Sequence, residues 1–171
     1  MTTSIEIPAA GDYRIDGAGS GLSFTTRHFF GLGPVRGTFR IREGRLTVAD
    51  DVANSEVAAT IDAASIDTRN GARDRTVRSA QYLKTDEHPD ITFASSGLEQ
   101  ADGQWVLRGT LTVRGNSGPL DVHLSSAAED GSRLRVRAHS RVDRYAFGVT
   151  AMKGMTGRYL DLELDLVADR A

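Results

Sequence analysis

The chain has 171 residues and no cysteine: room for one medium domain held by its own apolar core, and no means of building a disulfide or thiolate-metal scaffold. Apolar residues make up 39% and charged residues 26%, and no apolar run approaches the ~20 residues of a membrane helix. A net charge of −2 is too close to neutral for the basic surface from which nucleic-acid affinity derives.

The first sixteen residues include Glu6 and Asp12 and lack the apolar core of a secretory signal, which predicts a cytoplasmic protein. Residues 1–10 read as an extension and 11–171 as a single domain. Period-two alternation, the mark of a strand with one dry face, then predicts short strands at Tyr13–Ile15, Leu22–Phe24, Val35–Ile41, Leu46–Val48 and Glu56–Ile61. It continues at Ile91–Ser95, Trp105–Val113 and Leu120–Leu124. The 18 glycines, against 4 prolines, exceed the usual ~7%, and turn chemistry falls at Glu43-Gly44, Asp102-Gly103, Gly115 to Pro119 and Asp130-Gly131.

Two strands near the C-terminus are the clearest. Leu134, Val136 and Ala138 alternate with Arg133, Arg135, Arg137 and His139; Leu160, Leu162, Leu164 and Leu166 alternate with Asp161, Glu163 and Asp165. Laid antiparallel, they set arginines against carboxylates on the outer face, each pair contributing about 0.2–1 kcal/mol. Helical spacing occurs once, over Asn70–Leu83, where Ala72, Thr76, Val77, Ala80 and Leu83 share a face. Thr68 or Asn70 can cap this helix, and Asp74 precedes Arg78 by four residues, the favourable order for an ion pair.

Together these elements predict an all-β fold: an antiparallel, eight-stranded, lipocalin-like barrel with one short amphipathic helix near residues 70–83 covering an end. Eight strands enclose just enough space for side chains or one small ligand. Phe24, Phe39, Ile61, Phe93, Leu107, Leu111, Val122, Leu134, Val136, Leu162 and Leu164 are assigned inward. Ala58, Ala59, Gly109 and Ala138 are too small to fill the interior alone, which favours a cavity. An exposed strand edge or rim would also allow a homodimer.

Several segments, in order, carry a resemblance. They are Tyr13-Arg14-Ile15-Asp16, Ser23-Phe24-Thr25-Thr26-Arg27-His28-Phe29 and Val35-Arg36-Gly37-Thr38-Phe39, then Ser65-Ile66-Asp67-Thr68-Arg69-Asn70 and Arg73-Asp74. His88-Pro89-Asp90-Ile91-Thr92-Phe93-Ala94-Ser95, Gly109 to Gly115 and Asp143-Arg144-Tyr145-Ala146-Phe147-Gly148 complete the series. From about Gly11 to Ala168 the chain resembles the YceI-like family, lipocalin-like proteins associated with polyisoprenoid and isoprenoid-quinone binding. The resemblance implies a bound isoprenoid or quinone in place of any cofactor, and an apolar, lipid-like partner. Thr76 and Val77 stand where the family usually has His and Leu, so no role of that His carries over. Tyr82-Leu83 and the Gly115-to-Pro119 turn depart from the pattern as well.

Ligand-binding candidates are Phe24, His28, Phe29, Phe39, Asp67, Arg73, Phe93, Leu111, Arg144 and Phe147: aromatic and aliphatic walls, a rim His suited to a quinone carbonyl or a phosphate, and arginines suited to phosphate or carboxylate. His28, His88, His123 and His139 lack metal-ligand spacing, and no nucleophile elbow or phosphate loop occurs. Three readings stay open: a non-catalytic binder of a long isoprenoid; an acid–base enzyme using His28 with Asp67 or Asp143; and a solid barrel serving in stress or interaction.

Overall fold

The computed structural model describes residues 4–28, 33–153 and 156–171. Ten strands follow in order: β1 (Ser4–Ile5), β2 (Gly11–Ile15), β3 (Gly21–His28), β4 (Gly33–Val48), β5 (Glu56–Asp67), β6 (Asp90–Ala101), β7 (Gln104–Val113), β8 (Asn116–Asp130), β9 (Arg133–Asp143) and β10 (Tyr159–Arg170). One helix, α1 (Gly71–Arg78), joins β5 to β6. Consecutive strands from β4 to β10 pair antiparallel, and β10 returns to β2 and β3, which both pair with β4. Because β2 and β3 lie end to end in one position of the sheet, the barrel closes with eight stations, as the alternation predicted. Closure also removes the long free edges that invite sheet pairing.

The β9–β10 ladder has the register read from the charges. Arg141 faces Asp161, His139 faces Glu163, Arg137 faces Asp165 and Arg133 faces Asp169. Arg135 grips Asp165 through two nitrogens at 3.0 and 2.9 Å, Arg133 bridges Asp169 and Asp16, and Arg141 reaches Asp161 at 2.8 Å. These exposed pairs fix register more than they add stability. His123 and His139, also on the outer face, meet edge to face with ring centres 5.2 Å apart.

The strands run longer than their alternation suggested, and two turns move. Glu43-Gly44 lies inside β4, where a register shift between Ile41 and Glu43 bulges the strand. Gly44 is there for close approach, since a Cβ would lie 2.5 Å from Ile15 Cδ1. The β7–β8 hairpin turns at Arg114-Gly115, with φ of 51° and 75°, while Pro119 sits within β8. Asp102-Gly103 is a hairpin turn as predicted, both residues left-handed, and β8 and β9 join through Gly131 and Ser132.

The helix is shorter than its spacing implied. Asn70 caps it, its side chain accepting from Arg73 N, and Ser79 ends it. Asp74 does not pair with Arg78. It is buried, and Arg78 instead donates to the carbonyls of Ala64 and Ile66, tying the helix to β5. Among the described residues no helix is long and apolar enough to cross a membrane.

Candidate ligand cavity

Alternation places one side-chain set of every strand inside the barrel, and the interior is hollow. Two adjoining lobes, of about 180 and 170 Å³, share Leu22, Ile61, Leu111 and Leu162 as common wall. Together they exceed the ~300 Å³ at which ligand pockets begin. All eleven residues assigned inward line one lobe or the other. Ala59 and Ala138 line it too, whereas Ala58 is exposed, as strict alternation requires of a neighbour of Ala59.

The first lobe is almost wholly apolar. Phe93, Trp105, Leu107, Leu134, Val136 and Leu164 surround it, and Ile5, Ile7 and Pro8 of the N-terminal extension lie across its end. That extension is anchored by parallel pairing of β1 with Ser126 and Ala127 and by Glu6 N donating to Ala127 O. The second lobe lies beneath α1 and the segment after β9, with Phe24, Phe39, Val77, Tyr82 and Phe147 as its apolar wall.

Two glycines keep this interior open. A Cβ on Gly37 would lie 2.4 Å from Phe24 Cζ, and one on Gly109 would lie 2.4 Å from Phe93 Cζ. The tip of each phenyl ring therefore occupies the space that a side chain at the glycine would fill. Phe24 also meets Phe39 at 5.6 Å between ring centres, tilted by 43°.

Thr47, Ser55, Glu56 and Ser140 touch the first lobe, but among the described residues arginines line only the second. After β9 a single 3-10 turn, Arg144–Phe147, is capped by Asp143 and closed by Gly148 at φ 77°. Asn116 Nδ2 donates to Phe147 O at 2.9 Å and holds the turn against β8. The turn delivers Arg144 inward: 6% exposed, it donates Nε to Gly157 O, Nη1 to Val149 O and Nη2 to Thr156 O, at 2.7, 2.7 and 3.1 Å. Its guanidinium lies 4.9 Å from the Tyr145 ring centre and 5.8 Å from that of Tyr82. Burial lowers its pKa from the usual arginine value, without discharging it. Tyr82 OH and Thr156 Oγ1 share a 2.6 Å hydrogen bond nearby.

Arg73 reaches the same lobe from α1, its Nε donating to Thr68 Oγ1 at 2.8 Å and Nη2 to Thr68 O at 3.1 Å. Thr68 is fixed in turn by Asp74, which accepts from its N–H at 3.0 Å and from its hydroxyl at 2.6 Å. Among the described residues no buried side-chain nitrogen or oxygen lacks a partner.

Of the candidates, Phe24, Phe39, Arg73, Arg144 and Phe147 meet around the second lobe, Phe93 lines the first, and Leu111 lines both. Asp67 is not brought to the cavity: Ile66 and Thr68 line the second lobe, so the residue between them points outward, exposed, and accepts from Arg69 N. His28 ends β3, but its side chain, like all of Phe29, lies outside the described residues. Asp143 is bound by Arg158 through two nitrogens at 3.0 Å, which with the N–H of Tyr145 holds its pKa below the carboxylate range. No carboxylate among the described residues lines the lobe that holds Arg73 and Arg144, so Asp67 and Asp143 do not serve as bases there. Nor do the described residues gather three metal-ligating side chains. Tyr82, Thr156 and Trp105 were missed from sequence. Trp105 carried a signal, at an inward position of an alternating strand, and Tyr82 one, as part of the Tyr82-Leu83 departure from the family pattern; Thr156 carried none.

The YceI-like domain matches residues 13–168. A UPF0312 protein of Vibrio cholerae is 28% identical over 96% of this chain and 92% of its own length, and Protein YceI of Shigella flexneri is 29% identical over 90% and 84%. Among solved structures, BcnA of Burkholderia cenocepacia superposes with a TM-score of 0.80 at 22% identity, covering 90% of this chain and 98% of that one. A polyisoprenoid binding domain from Saccharophagus degradans gives 0.71 at 13% identity, covering 95% and 100%. Motif order, barrel and domain match agree: the chain belongs to the YceI-like domain family.

Proposed function

We propose that this protein binds a long apolar isoprenoid, a polyisoprenoid or an isoprenoid quinone, without transforming it, for storage, transport or metabolism. The observation that carries the reading is the division of one cavity into an apolar lobe and a lobe edged by Arg73 and Arg144. Carbonyls take three of Arg144's five N–H donors, leaving two for an oxygen of the ligand's polar end. The tail lies past Leu22, Ile61, Leu111 and Leu162 into the apolar lobe. The polyisoprenoid-binding neighbour from Saccharophagus degradans, which shares the fold, supports the same ligand class.

Burial of a methylene contributes about 0.8 kcal/mol against water, so each isoprene unit adds several kcal/mol, offset by the ordering of a flexible chain. Against a bilayer the apolar gain nearly vanishes, and head-group contacts decide whether the barrel loads. The acid–base alternative lacks a carboxylate in the polar lobe, and the solid-barrel alternative lacks a filled interior. We further place the protein in the cytoplasm, which cell fractionation tests. The chain's single tryptophan, Trp105, lines the apolar lobe and reports on ligand directly. Titration with an isoprenoid quinone quenches its emission saturably if the reading holds; a response no larger than that of free tryptophan in the same solution overturns it.

A further inference from the structure

The near-neutral net charge of −2 conceals a strong separation along the barrel. Strand register puts the segments 68–89, 114–115, 144–153 and 156–158 at the end holding the polar lobe, and 49–55, 102–103 and 131–132 at the other. At the polar-lobe end Arg69, Arg75 and Lys153 are exposed, and among the described residues neither they nor Arg73, Arg78 and Arg114 have a carboxylate partner. Of the acids there, Glu87 pairs with Lys84, Asp143 with Arg158, and Asp62 and Asp90 share Arg42, leaving Asp67, Asp86 and the buried Asp74, which is hydrogen-bonded to Thr68. At the opposite end Asp50, Asp51, Glu56, Asp102 and Asp130 are exposed and have no ion pair among the described residues, against Arg14, Arg45 and Arg170. Beside Lys153 stands Met152, 55% exposed.

We propose that the cationic end docks the barrel on the surface of an anionic lipid bilayer, so that the polar lobe faces the layer in which its ligand dissolves. This rests on the isoprenoid reading for the choice of occupant: an apolar ligand resides in lipid, and the cations surround the lobe that would receive its head. Each cation brought within a Debye length of such a surface strengthens binding about fivefold at physiological salt, while the acidic end is repelled and sets the orientation.

Flotation of the purified protein with vesicles tests the proposal. Binding is expected to vesicles of equal parts phosphatidylcholine and phosphatidylglycerol, to be lost in high salt, and to be absent with phosphatidylcholine alone. The triple variant R69N/R75Q/K153Q, whose altered side chains line neither lobe, is expected to lose on the order of 100-fold in vesicle affinity while its Trp105 quenching by quinone in solution is unchanged. D50N/D102N/D130N, at the acidic end, is expected to bind vesicles at least as well as the parent. Equal binding to both vesicle types, an unweakened triple variant, or retention on single-stranded DNA without vesicle binding would overturn the docking. Failure of quinone quenching with vesicle binding intact would overturn the ligand reading instead.

Discussion

Gly109 faces the lumen on β7, and replacing it with alanine tests whether the phenyl rings on the wall keep the cavity open. A Cβ there lies 2.4 Å from Phe93 Cζ, 2.7 Å from its Cε1 and 2.7 Å from Ala94 O, all well inside contact distance. The ring can swing away, but only into the apolar lobe that it lines; the carbonyl belongs to the paired strand and can move only with the backbone. Overpacking of this kind costs about 1–3 kcal/mol, or a lowering of the melting temperature by roughly 2–4 °C per kcal/mol for a domain of this size. At Gly37 the nearest atoms, 2.4 and 2.6 Å from a Cβ, are both in the Phe24 ring, so Gly37→Ala should be milder and should narrow the polar lobe instead. Circular-dichroism melts and quinone titration of Trp105 read both effects. Gly109→Ala is expected to melt lower than Gly37→Ala and both to bind quinone more weakly; a Gly109→Ala protein with parental melting and affinity would refute the account of how the lumen is held open.

Further expectations concern the polar lobe and the charged ladder. Arg144→Met leaves the carbonyls of Gly157, Val149 and Thr156 without their donor; each lost charge-assisted bond costs about 1.5–3 kcal/mol, partly offset by relief of a buried charge. Denaturant melts should show clear destabilisation, with Arg144→Lys intermediate because one ammonium cannot reach three carbonyls. Asp74→Ala should free Thr68 and loosen Arg73, weakening quinone binding more than stability, as parallel titrations and melts would show. Arg135 holds the Asp165 pKa below the carboxylate range and Arg158 does the same for Asp143. The unfolded chain therefore protonates first as pH falls: this stabilisation is complete above about pH 5 and is lost as pH falls through about 4 and below. Urea midpoints across that window should fall, and Asp165→Asn should flatten the decline.

Barrel closure, register and the inward residues were legible because strand period is two and one face is dry. The Arg and Asp/Glu stripes of β9 and β10 fix their pairing almost uniquely, since a one-residue slip would turn every leucine outward. Gly44 was misread because a bulge glycine and a turn glycine look alike without the partner strand, and only the approach of Ile15 distinguishes them. Asp74 and Arg78 show the limit of helical spacing: the pair was correctly placed on one helix, but tertiary partners, Thr68 and the β5 carbonyls, displaced the local bond. Arg144 and Phe147 were found through motif likeness, yet the reason they converge with Tyr82 and Thr156 lies in loop packing that leaves no periodic trace.

The central claim is that the hollow interior holds an apolar lipid with its polar end toward Arg144 and Arg73. Native mass spectrometry of the protein purified without added lipid, set beside an analysis of its solvent extract, addresses it most directly. A bound species whose mass matches an isoprenoid lipid in the extract, and which is depleted in Arg144→Met, is the predicted result. A protein that flies at its bare polypeptide mass, yields no lipid on extraction and takes up no isoprenoid quinone would contradict it.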